Sequence, residues 1–274
     1  MKSIAFGQYY PAKSFLHRLD PRIKIIITVL YIISTFLCKN TLSFAALLLS
    51  ALILVILGRI PLRIIFGGLR PIIFILCFTV LLNIFLTSGE GDPLAQFWIL
   101  KIYTEGIYNA VFIAIRIVAL IIGTGMLLTY TTTPIALTDA IEDLLGPLKK
   151  IKLPVHEFAM MMTIALRFIP TLMEETDKIM TAQKARGADF SSGNLIQRAK
   201  ALIPVLIPLF VSAFNRASDL ATAMECRCYH GGEGRTRMRV RHLRVSDFVF
   251  LFITVLFGAS LIALNFSGIG FTMR

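Results

Sequence analysis

Five runs of apolar residues constrain what this chain can fold into more than any other feature of it. They are Ile23–Cys38, Leu42–Leu57, Ile72–Thr87, Ile107–Tyr130 and Phe248–Phe266. A helix that crosses the hydrocarbon core of a bilayer needs about 20 mostly apolar residues. All five runs reach or approach that length, and the first three sit at its short limit, where tilt or a thinner bilayer makes up the difference. Lys39 and Asn40 separate the first two runs, which predicts a tight helical hairpin. Over the whole chain 56% of residues are hydrophobic and 16% charged, against about 45–50% and 25% in soluble domains. The surplus apolar surface has to face something other than water, and the lipid bilayer is the partner it expects. The formal net charge of +12 does not point to nucleic acid, because the basic residues crowd the ends of the apolar runs. There they set orientation and meet anionic headgroups. Cys38 and Cys77 lie in or beside apolar runs, and Cys226 and Cys228 lie in a basic loop. That is no disulfide framework, and it fits a reducing cytoplasmic face. The first twenty residues lack the apolar core of a cleavable signal peptide.

Loop charges predict an orientation in the cell membrane. Lys2, Lys13, Arg18, Arg22 and Lys24 precede or open the first run, and Arg59, Arg63 and Arg70 lie between the second and third. The stretch from Thr131 to Val245 holds sixteen basic residues. The opposite loops hold Lys39, then Lys101 beside Glu90, Asp92 and Glu105. Lys and Arg stay on the cytoplasmic side, so the N-terminus and the long insertion are expected in the cytoplasm and the C-terminus outside. The expected division is residues 1–130 for the N-terminal segment and four spans, 131–245 for the cytoplasmic insertion, and 246–274 for the last span and external terminus.

The insertion reads as helical. Thr133 or Thr138 caps a short helix that Gly146-Pro147 ends. After Pro154, the residues Phe158, Met161, Met162, Ala165, Phe168, Ile169 and Leu172 recur at three- and four-residue spacing, an apolar stripe on one helix face. Arg167, Glu174 and Glu175 fall on the other face, and the helix is expected to end at Arg186-Gly187. A second amphipathic helix runs from Asn194 to Arg227. Its apolar part, Ala201–Phe214, is short, holds Pro204 and Pro208, and is flanked by Arg198, Lys200 and Arg216. It therefore reads as a helix at the membrane surface rather than a span.

These motifs carry a resemblance. Leu16-His17-Arg18-Leu19-Asp20-Pro21-Arg22 with Lys24, then Ala165-Leu166-Arg167-Phe168-Ile169-Pro170 with Glu174-Glu175, then Ala185-Arg186-Gly187, resemble the signatures of the T component (EcfT family) of energy-coupling factor transporters. A second Ala-Arg-Gly is expected at the end of the next helix. Here Cys226-Arg227-Cys228-Tyr229 stands in its place, followed by Gly231-Gly232-Glu233-Gly234-Arg235-Thr236. The Arg is kept, and Ala and Gly are each replaced by Cys. The resemblance implies an all-α, polytopic membrane protein with about five transmembrane helices and two long cytoplasmic amphipathic coupling helices. It implies a non-catalytic subunit without cofactor or metal. Its implied partners are two ABC ATPase subunits and one or more membrane-embedded S components that bind a vitamin or metal ion. Ala185, Arg186, Gly187, Cys226, Arg227 and Cys228 would couple to the ATPases. His17, Arg18, Asp20, Arg22, Arg167, Pro170, Glu174, Met161 and Met162 would serve as braces and interfaces.

Other readings stand beside these. An Arg near a helix C-terminus is ordinarily there for the dipole. Cys226, Cys228 and His230 are too few and too closely spaced for a zinc site. The Gly231–Arg235 turn lacks the Gly-Lys-Ser/Thr of a phosphate loop. An autonomous carrier or channel predicts several charges within the spans, where Arg116 stands nearly alone, and inverted repeats. A membrane-bound enzyme predicts clustered Asp or His at one membrane face.

Overall fold

Asp20 begins the first long helix and shows how local chemistry sets the architecture. Its carboxylate accepts from the Arg22 amide at 2.9 Å, and Pro21 follows at the first helical position. A side-chain acceptor followed by a residue without an amide proton is a strong helix start. The computed structural model describes residues 9–86, 95–97, 100–151, 154–190, 192–231 and 242–266. Its helices are α1 (Phe15–Arg18), α2 (Pro21–Leu37), α3 (Thr41–Gly58), α4 (Leu62–Leu86), α5 (Thr104–Thr124), α6 (Pro134–Leu144), α7 (Val155–Ala185), α8 (Leu195–Cys226) and α9 (Val245–Phe266). A π-helical segment, Gly125–Thr129, continues α5, and a 3-10 segment, Gly146–Ile151, follows α6. The short antiparallel strands Ala95–Phe97 and Leu100–Ile102 pair Ala95 with Ile102. The protein is thus an all-α polytopic membrane protein.

Among the described residues five helices are long and apolar enough to cross a membrane: α3, α4, α5 with its π extension, α8 and α9. Helix α2 has 17 residues, about 26 Å of helix against a hydrocarbon core of about 30 Å. Helix α8 matches the amphipathic helix expected from Asn194 to Arg227, and as a whole it is long and apolar enough to cross a membrane, which its short apolar part alone is not. It runs unbroken for 32 residues through Pro204 and Pro208.

The chain divides into two compact units, Met1–Leu137 with Arg241–Arg274, and Thr138–Val240. In the first, α2 packs on α5 and α9, and α3 and α4 pack on α5. Leu16, Ile27, Phe44, Leu47, Met126 and Leu261 form its buried centre. In lipid, apolar burial alone does not drive helices together; close packing and interhelical hydrogen bonds do. Gly123 supplies the close packing, since a Cβ there would collide with the Tyr31 ring. The Tyr31 hydroxyl in turn donates to the Ala119 carbonyl at 3.2 Å. At one end of the bundle Asn265 of α9 closes the α2–α3 turn, donating to Leu37 O and accepting from the Lys39 amide and the Ser43 hydroxyl. Arg116 donates to Cys38 O at 2.9 Å and lies 5.4 Å above the Phe44 ring. This intramembrane charge is therefore engaged locally, at the carbonyl end of α2.

At the other end, the Lys24 ammonium is 1% exposed. It donates to Thr131 O at 2.9 Å and to the Thr131 and Thr132 hydroxyls at 3.2 Å each. The Tyr10 amide donates to Tyr130 O, and His17 bridges Ser14 Oγ and Tyr10 O. The buried Asp247 carboxylate accepts from the amides of Asp20 and Arg244. The second of these bonds is the reciprocal half of a capping box at the start of α9.

Candidate functional site

The second unit holds α7 and α8. Gln183 of α7 donates to Pro204 O of α8, Glu175 pairs with Arg216 at 2.8 Å, and Ile164, Phe168 and Leu172 face Leu220, Ala221 and Met224 across a cavity of about 250 Å³. Rising numbers on one helix meet falling numbers on the other, so the two run antiparallel. The Glu175 carboxyl is held below its ordinary value of 4.5, first by the Ser212 hydroxyl and then by the Arg216 guanidinium.

Both helices end in the same way. At α7, the Gly187 amide bonds Lys184 O, the Ala188 amide bonds Gln183 O, and Gly187 takes φ +90°. At α8, the Cys228 amide bonds Glu225 O, the Tyr229 amide bonds Met224 O, and Cys228 takes φ +54°. Each pair is the crossed set of bonds of a Schellman motif, with the left-handed residue just past the cap. Arg186 and Arg227 occupy the equivalent cap position and are exposed. The replacement of Gly by Cys thus leaves the shape of the α8 terminus unchanged, at the cost of placing a residue with a Cβ in left-handed backbone. Because the helices are antiparallel, the two arginines lie at opposite ends of the pair. Thirty-one residues of α7 span about 46 Å, so they cannot serve a single site on a small partner.

The remaining site residues separate. Met161 is 59% exposed and Met162 41%, with Phe158 beside them. Arg167, Pro170 and Glu174 are also exposed, and Glu175 rather than Glu174 makes the link to α8. Pro170 lies inside α7 without ending it. Arg18 is exposed, while Asp20 and Arg22 form a pair at 4.0 Å. On α8 a second apolar surface is open, with Leu206, Phe210 and Phe214 each more than half exposed. Among the described residues no group of three or more His, Cys, Asp or Glu is arranged to hold a metal, and His230 Nδ1 bonds Cys228 O. The turn from Gly232 to Thr236 lies outside the described residues. Sequence reasoning missed Asp247 and the destination of Lys24. An acid immediately before the last apolar run, and a lysine at the second position of the first, were the available signals.

Apolar helices in a membrane unit, joined in sequence to an antiparallel amphipathic pair with cationic tips, define a multi-pass membrane protein. The family model described as cobalt transport protein (CbiQ) matches residues 12–238. The energy-coupling factor transporter transmembrane protein EcfT of Ruminiclostridium cellulolyticum is 55% identical over 257 residues, covering 94% of this chain and 95% of that one. The protein of the same name from Clostridium kluyveri is 53% identical over 249 residues, covering 91% and 92%. That from Bacillus subtilis is 54% identical over 239 residues, covering 87% and 89%. The chain belongs to the EcfT family, the transmembrane components of energy-coupling factor transporters.

Proposed function

We propose that this chain is the mechanical coupling subunit of its transporter and passes motion from two ATP-hydrolysing subunits to a separate membrane subunit that binds a micronutrient, a vitamin or a metal ion. The observation that carries the reading is the matched pair of helix ends. Two arginines in one backbone setting, at opposite ends of an antiparallel pair, suit two similar partners, one each. An arginine fork stays charged and makes bidentate bonds to carboxylates, so acidic grooves on those partners are its natural receptors. The exposed Met161, Met162, Phe210 and Phe214 supply apolar surface for the substrate-binding subunit, and methionine adapts to differently shaped partners. Arg116 is held by Cys38 O and Phe44, which gives an ion or substrate path through the bundle no support.

In this reading the N-terminus and the second unit are cytoplasmic, as the loop charges argue, and α8 is a coupling helix although its length would permit a span. The test is transport. Arg186→Glu and Arg227→Glu each leave the chain in the membrane and reduce ATP-driven uptake at least about tenfold, a loss of charge-assisted bonds worth about 1.5–3 kcal/mol. Uptake equal to the parent's in both variants overturns the assignment.

A further inference from the structure

The membrane unit carries a groove that the coupling role does not use. It has a volume of about 290 Å³ and is walled by α2, α3 and α9, with Ile27, Ile53, Leu57, Phe250 and Phe257 among its lining. Along α3 it reaches from Ala46 to Leu57, about 16 Å of helix against a hydrocarbon core of about 30 Å. The groove is therefore one leaflet deep, the depth of one acyl chain rather than of a spanning helix. Its polar lining is limited to the hydroxyls of Tyr31, Ser50 and Thr254, and all three already donate to backbone carbonyls within the bundle.

The three walls share a second feature at one end. Just beyond the groove, α2 opens at Arg22, α3 ends at Arg59, and α9 is preceded by Arg244. Arg59 and Arg244 are exposed, and neither guanidinium has an ion-pair partner among the described residues. The two acids at this end, Asp20 and Asp247, are turned inward, 7% and 1% exposed. Their carboxylates are taken by the amides of Arg22, Asp20 and Arg244. On the α2 wall Arg22 is paired with Asp20 at 4.0 Å, so the outward charge at this end comes from Arg59 of α3 and Arg244 before α9.

We infer that this groove binds one anionic phospholipid, its acyl chain between α3 and α9 and its phosphate between Arg59 and Arg244. Cations near an anionic bilayer surface each add about 1 kcal/mol, so the site prefers an anionic to a zwitterionic headgroup by about fivefold for each arginine engaged. The inference needs only the membrane location of the chain and is independent of the coupling reading.

The test is quenching of a tryptophan placed in the groove. Full-length chain with Trp98→Phe and Ile53→Trp is reconstituted in phosphatidylcholine vesicles that contain brominated phosphatidylglycerol or brominated phosphatidylcholine. Phe74→Trp on α4, where Phe74 is 79% exposed, serves as the control outside the groove. Brominated phosphatidylglycerol quenches the groove tryptophan at about fivefold lower mole fraction or less, and the control shows no headgroup preference. Arg59→Gln with Arg244→Gln removes the preference while quenching by both lipids remains. Equal quenching by both lipids in the parent reduces the groove to ordinary lipid solvation and overturns the proposal. Quenching by neither shows that protein covers the groove, and overturns it as well.

Discussion

Cys228 occupies a backbone conformation that L-residues avoid. A Cβ in the left-handed region costs about 1–2 kcal/mol, yet the Schellman bonds from Cys228 and Tyr229 hold it there at φ +54°. Cys228→Gly removes that strain and gives α8 the residue that ends α7. We expect it to slow amide exchange at Tyr229 several-fold and to leave α7 unchanged. Faster exchange would mean that the Cys side chain contributes contacts worth more than the strain. A β-branched replacement, Cys228→Val, should fray the last turn of α8 instead. Arg227 keeps its place in the parent and in Cys228→Gly and loses it where the turn frays, so the backbone motif sets where the charge sits.

Among the helices, two contacts decide the geometry and each makes a prediction. Gly123 lies against the Tyr31 ring, and Gly123→Ala forces Tyr31 off the Ala119 carbonyl. Overpacking of this kind costs about 1–3 kcal/mol, and thermal unfolding in mild detergent should show a lowered Tm. An unchanged Tm would place the close approach outside the stabilising contacts. The α7–α8 pair is fastened by Glu175, whose folded-state carboxyl lies below its ordinary value of 4.5. A depressed carboxyl stabilises the pair above that ordinary value, and the contribution is lost as pH falls through the depressed one. Proteolysis of the pair should therefore accelerate in the parent as pH drops through and below 4.5, and Glu175→Gln should remove that part of the pH dependence. The same dependence in the variant would assign it to another group.

At this scale the sequence was most legible where one signal sufficed. Apolar length located α3, α4, α5 and α9, and Gly187 after Arg186 placed the end of α7. Thr133 caps α6 by accepting from the Ala136 amide, as one of two capping residues suggested. The extent of α8 was legible as well, because the amphipathic pattern continues past Pro204 and Pro208 to Arg227, but its capacity to span was not. Proline removes one backbone bond each, and a helix with enough packing on its other face continues through that loss. The α7–α8 pairing was hidden too. Glu174 and Glu175 are adjacent in sequence, and only the rotation of the helix against α8 selects Glu175 for Arg216. Lys24 reads as one more loop cation until the fold buries it against Thr131 and Thr132, residues more than a hundred positions away.

The whole molecule joins a lipid-facing bundle in sequence to a cationic helix pair, and loop charge argues for a cytoplasmic side for the pair. The native thiols test that side. Cys226 and Cys228 are exposed and Cys38 is buried. A membrane-impermeant maleimide should label Cys226 and Cys228 in inside-out vesicles and not in intact cells, whereas labelling from outside would turn α8 into a span and move the second unit's end across the membrane. The more direct measurement is photo-crosslinking from the two arginine positions. A photoreactive residue at 186 and, separately, at 227 in the assembled transporter should each crosslink to an ATP-hydrolysing subunit, at the equivalent groove on each. Crosslinks that reach only lipid, the chain itself or the substrate-binding subunit would contradict the central claim that these two helix ends carry the motion of ATP hydrolysis into the membrane.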